Sequence, residues 1–198
     1  MSASTPVMKA WPVGAPLSLA IVELFHPHPH DLLHVELQRW MAVHYAQIVL
    51  FPLAALAECE LVAGIAGPAA ALCRSAMFVF AISYVAFDTA AGVVTGVLVQ
   101  AAHAGGTPEA WRPPIQAIWN HPIIGGASEG VPALAVIGTM AWLVGTMAAA
   151  VACRRAKRSW FVTGALLVSA FGLFVFRTHA WPGGPITFGA LAVAAAMI

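Results

Sequence analysis

The sequence predicts an all-α polytopic membrane bundle, one domain over residues 1–198, with four transmembrane helices and a short hydrophobic segment near each end. Three observations predict it. The 198 residues are 61% hydrophobic and only 9% charged, whereas a soluble domain carries about 25% charged residues; the mean hydropathy is +0.85. Residues 76–102 form an apolar run broken by a single formal charge, Asp88, long enough as a helix to cross a ~30 Å hydrocarbon core with some tilt. Finally, Arg154, Arg155, Lys157 and Arg158 crowd one short connection between two apolar stretches, as the positive-inside rule expects of a cytoplasmic loop.

Residues 15–25 are apolar but short, and they contain Pro16. They predict an interfacial or re-entrant helix, with a cleaved signal peptide as the alternative, because Lys9 precedes them but no small-residue cleavage site follows. The run His26-Pro27-His28-Pro29-His30 is an extended linker, since proline fixes φ and restricts its predecessor. Asp31 is a candidate N-cap for a first span over about 32–57, with Trp40, His44, Gln47 and Phe51 on one face and Pro52 kinking it. Glu58 and Glu60 are expected to end that span.

In the second span, 76–102, Tyr84, Asp88, Gly92 and Gly96 share a small, polar face suited to a neighbouring helix. The loop 103–130 is polar yet carries Trp111, Ile115, Ile118 and Trp119, which predicts a short amphipathic surface helix over 114–120. The third span is 132–152, with Gly138 and Gly145 on its small face. The fourth is 159–177, with Ser159 as its cap. Residues 186–198 are apolar but too few for a perpendicular span, so they are half-inserted, packed on a partner, or continued by further chain.

Placing the loop 153–158 in the cytoplasm sorts the histidines. His26, His28, His30, His34, His103, His121 and His179 fall on the extracytoplasmic side with Asp31, Glu109, Asn120 and Glu129, and His44 alone lies within the membrane. Imidazole suits copper and zinc, which makes the outer group a candidate metal site; against this, histidine is also an ordinary interfacial side chain. His44 and Asp88 sit at similar depth in adjacent spans. With Gln47 and Tyr84 they form a candidate intramembrane polar pair, serving a proton path, a quinone or an ion, or simply bonding two helices together. Haem is the weaker expectation, because only His44 is intramembrane and its partner would be Met77 or Met140.

The near-neutral charge balance supplies no field for nucleic acid, and the three cysteines lack C-x-x-C spacing. No Walker loop, G-x-S-x-G, H-E-x-x-H or dinucleotide fingerprint is present. The expected function is an accessory or structural subunit of a membrane complex. Its partners would be the bilayer and other subunits or copies of itself, and its histidine-rich outer face would bind a metal ion. The alternative is a redox- or proton-coupled membrane enzyme built on His44 and Asp88.

Overall fold

The computed structural model describes residues 10–126 and 131–198; Lys9 and Glu129 lie outside them. The described residues form helices without strands. Helix α1 is Trp11–Leu24, α2 Leu37–Leu61, α3 Pro68–Asp88, α4 Thr95–Ala104, α5 Arg112–Trp119, α6 Ala133–Arg155, α7 Trp160–Phe176 and α8 Gly183–Ala196. A π-helical stretch, Thr89–Val94, joins α3 to α4, so Pro68–Ala104 is one rod of 37 residues, about 55 Å long at 1.5 Å per residue.

Among the described residues, three helices are long and apolar enough to cross a membrane: Leu37–Leu61, Pro68–Ala104 and Ala133–Arg155. The expected fourth span does not reach that length. It forms α7, with 17 residues, because Ser159 caps its start by accepting from the Val162 N–H and Arg177 ends it in the left-handed region at φ 54°. At ~26 Å it falls short of a ~30 Å core unless the bilayer thins around it.

The first span begins later than expected. Asp31 caps a 3₁₀ turn, Leu32–His34, and α2 follows only at Leu37. Nor do Glu58 and Glu60 end it: Glu58 is buried inside α2 and accepts from Thr146 of α6 at 3.0 Å. The second helix starts earlier, at Pro68 instead of residue 76, with proline in its first turn. The amphipathic loop helix lies at Arg112–Trp119 rather than 114–120.

The two terminal segments are packed elements. Helix α1 lies against α8 and α2, and α8 against α7 and α1. Leu19, Phe51, Phe80, Trp142, Leu166, Phe188 and Leu191 build a continuous interior, while Phe78, Trp160, Phe161 and Val175 remain exposed on the outside, as a lipid-facing surface requires.

The four packing glycines are all used within the chain. A methyl group on Gly92 would meet the His44 ring and one on Gly96 would meet Met41 and Trp40. On Gly138 it would meet Tyr84, and on Gly145 Met77. These faces are filled by the protein's own helices, so they offer no surface to a second chain.

Antiparallel packing of successive helices gathers the linker 26–30, the 3₁₀ turn, α5 and the residues around His179 at one end of the bundle. The connections 62–67 and 156–159, with Arg74 and the basic cluster, lie at the other.

Candidate functional site

The site begins with the π stretch. Where one extra residue enters a helical turn, a backbone carbonyl is displaced from its usual partner. Here the buried indole of Trp40 donates to the Gly92 carbonyl at 2.8 Å. Because Gly92 has no side chain, the His44 ring lies directly against it. One turn from Trp40, the His44 Nδ1–H donates to the Trp40 carbonyl at 2.7 Å. A carbonyl only accepts, so Nδ1 carries the hydrogen and the Nε2 of the neutral ring is a bare lone pair.

The linker supplies the second imidazole in the same state. His26 Nδ1 donates to the Pro27 carbonyl at 2.9 Å, so its Nε2 accepts from the Nε2–H of His179 at 3.3 Å. Ring centroids of His26 and His44 are 5.1 Å apart, and those of His26 and His179 are 4.9 Å apart. His179 is further boxed by Phe51, Tyr84 and Phe87, each at 5.9 Å. Burial pushes His26 down to about 3 and holds His179 well below the usual imidazole range, the other imidazoles adding to both shifts. Both rings are therefore neutral at physiological pH.

These rings and Asp88 line one cavity of about 340 Å³, with Trp40, Phe87 and Ala91 in its walls and Trp119 and Gly126 over it. Asp88 Oδ1 stands 4.0 Å from His44 Nε2, beyond direct hydrogen-bond reach, and its buried Oδ2 has no partner among the described residues. The direct bond from His44 to Asp88 that the sequence suggests is thus replaced by a gap opening on the cavity. Gln47 and Tyr84 are engaged elsewhere. Gln47 donates to Glu23 of α1 at 2.9 Å, and the Tyr84 hydroxyl pairs with that of Thr139 at 2.9 Å.

The division into seven outer histidines and one inner histidine does not hold in space. His26 and His179 join His44, and His28 and His30 line the same cavity from exposed positions. The remainder are separate: His34 pairs with Asp31, His103 Nε2 contacts the Leu33 carbonyl at 2.8 Å, and exposed His121 accepts from the Ile123 N–H. Among the described residues, no group of three or more His, Cys, Asp or Glu side chains is arranged to hold a metal ion.

A clasp holds the cover in place. Arg112, at the start of α5, makes a two-pronged contact with Asp31 at 2.9 and 3.0 Å and a second one with Glu109 at 2.8 and 3.1 Å. The guanidinium holds both carboxyls below their usual range. At the far end of α5, the Trp119 ring lies 6.0 Å from Trp40, and Gly126 permits its close approach.

Sequence reasoning missed Glu23. Its signal was present: Pro16, Leu19, Ala20 and Glu23 are spaced i, i+3, i+4, i+7, the pattern of one buried helix face, so an acid completing it points inward.

Fold and site together define an all-helical bundle with apolar spans suited to a lipid environment and a polar chamber at one end. No family model, curated protein or solved structure matches the chain.

Proposed function

We propose that this protein is a proton-coupled, ligand-binding membrane protein. Its chamber receives a compact head that donates hydrogen bonds, as the hydroxyls of a quinol do, and passes a proton to or from Asp88. This develops the alternative drawn from the sequence in preference to the accessory subunit with an outer metal site, because the glycine faces that motivated a subunit are occupied internally.

One observation carries the reading: His44, its tautomer fixed, presents a bare nitrogen to a cavity that also holds a carboxyl oxygen of Asp88 with no partner among the described residues. A buried ionisable group without a partner is costly in a membrane protein and marks function, and a hydroxyl between His44 and Asp88 would satisfy both. By the positive-inside rule the chamber faces the extracytoplasmic side.

The test is binding of decylubiquinol to the protein in phosphatidylcholine nanodiscs. Saturable binding, weakened at least tenfold by His179→Gln or Asp88→Asn in folded protein, is expected. No binding, or equal binding by all three proteins, would overturn the reading.

A second reading rests on the 3.3 Å between the His26 and His179 nitrogens. Two nitrogens bound tetrahedrally to one ion at 2.0–2.1 Å sit about 3.4 Å apart, so copper or zinc fits if the remaining two ligands come from outside the pair. Stoichiometric metal in the purified protein, lost on His26→Gln, would favour it. A macrocycle does not fit between rings this close.

A further inference from the structure

A second cavity of about 350 Å³ adjoins the chamber between α3, α6 and the end of α7, sharing Phe87, Gly126, Thr178 and His179 with it. Its outer walls are apolar: Ala135, Val136 and Met140 from the first turns of α6, and Phe174 from α7. Val131, Val136 and Phe174 are exposed at its edge, so the cavity opens sideways, toward where lipid would lie. At its polar end are Arg177, Thr178 and His179.

Arg177 decides what this space is for. The residue sits in the left-handed region at φ 54°, a conformation that costs a non-glycine residue free energy and persists only when its surroundings fix it. Among the described residues no carboxylate pairs with its guanidinium, although Asp31, Glu36 and Glu109 are all paired with other arginines. A largely apolar cavity headed by a cation that pairs with no carboxylate among the described residues is complementary to a molecule with one anionic group and an apolar tail.

We propose that this cavity is a lateral site for a single-chain amphiphile with a carboxylate head, the chemistry of a free fatty acid, whose head pairs with Arg177 while its tail leaves between α6 and α7. The planar guanidinium fork matches a carboxylate in two-pronged geometry. The neutral His179 adds a hydrogen-bonding group but no second charge, which favours a singly charged head over a phosphate. A volume of about 350 Å³ lies at the small end for ligand pockets and suits one chain rather than two. This site adjoins the quinol chamber and shares His179 with it, but its head group is set by Arg177, so it stands whether or not the chamber binds its ligand.

The test uses stearate spin-labelled near its carboxylate, added to the protein in phosphatidylcholine nanodiscs at pH 8. Wild-type protein is expected to give a saturable immobilised component, displaced by palmitate. Arg177→Gln should weaken it at least tenfold, Arg177→Lys should retain part of it, and Ala135→Trp, which fills the cavity without removing the charge, should abolish it. Should Arg177→Gln fail to fold, the Ala135→Trp result decides alone. Equal immobilisation by wild type and either loss-of-site variant would overturn the proposal, as would displacement by hexadecanol as effective as by palmitate. Displacement by phosphatidylglycerol but not by palmitate would assign the site to a phospholipid headgroup and overturn it equally.

Discussion

At the scale of the residue, two of the chamber's imidazoles, those of His26 and His179, have their ordinary ionisation suppressed by burial. His26 has a folded pKa of about 3 against about 6.5 in an unfolded chain, and His179 is shifted in the same direction. Between those values the unfolded state binds more protons than the folded one, so stability rises with pH through this window and is fully present above about 6.5. Lowering pH from 7 to 4 should therefore destabilise the protein, by up to about 1.4 kcal/mol per pH unit for each histidine. Thermal unfolding in detergent at pH 7, 5.5 and 4 should show a falling Tm, and His26→Gln should flatten the trend; a Tm independent of pH would contradict the buried neutral rings. A single methyl group tests the walls. Gly92→Ala places it against the His44 ring and should cost about 1–3 kcal/mol, whereas Gly189→Ala meets nothing within 4 Å and should be near neutral or slightly stabilising. Chemical denaturation of the two variants side by side checks this, and equal midpoints would count against the packing described.

At the scale of the element, periodicity predicted the helices well and their boundaries poorly. The long spans, the amphipathic α5 and the Ser159 cap were legible because apolar runs and capping residues are local signals. The π stretch Thr89–Val94 was not, since its register is set by Trp40 and His44 packing on Gly92 from another helix. The start of α2 was misplaced for a similar reason. Asp31 is an effective cap, but Arg112, 81 residues away, engages both of its oxygens and the 3₁₀ turn intervenes. That same clasp makes α5 a cover over the chamber. Arg112→Ala should free α5 while leaving the long helices intact, so amide exchange should accelerate in residues 108–119 and remain slow in α6. Unchanged protection of α5 would show that Trp119 and Ile115 hold the cover without the clasp. The clasp should also survive mild acid, because both carboxyls titrate below their ordinary range; its contribution is present above the unfolded carboxyl pKa values near 4 and is lost as pH falls below them.

At the scale of the whole molecule, the sequence supplied the ingredients of the site and not their grouping. His44 and Asp88 were legible because a titratable residue in an apolar helix stands out. His26 and His179 were read as outer-loop residues, since nothing local shows that a Pro-linked segment and a post-helix turn fold inward onto α2. Their meeting is set by tertiary packing of residues 153 positions apart. The separation of the two ends is firmer, because it follows from helix order. The chamber, α5 and exposed His121 occupy the end opposite Arg154, Arg155, Lys157 and Arg158. If the spans cross a bilayer, those ends face different compartments, and the positive-inside rule predicts that the basic cluster takes the cytoplasmic one. Single cysteines placed at His121 and at Arg155 in a background with Cys59, Cys73 and Cys153 replaced by serine should react oppositely with a membrane-impermeant maleimide added to intact cells. Cysteine at 121 should label at once, and cysteine at 155 only after lysis. Labelling of both from outside would break the link between the antiparallel bundle and a membrane crossing. Labelling of 155 alone would preserve the bundle but invert it, placing the histidine chamber on the cytoplasmic side, and would show that the four clustered cations do not set the orientation of this chain.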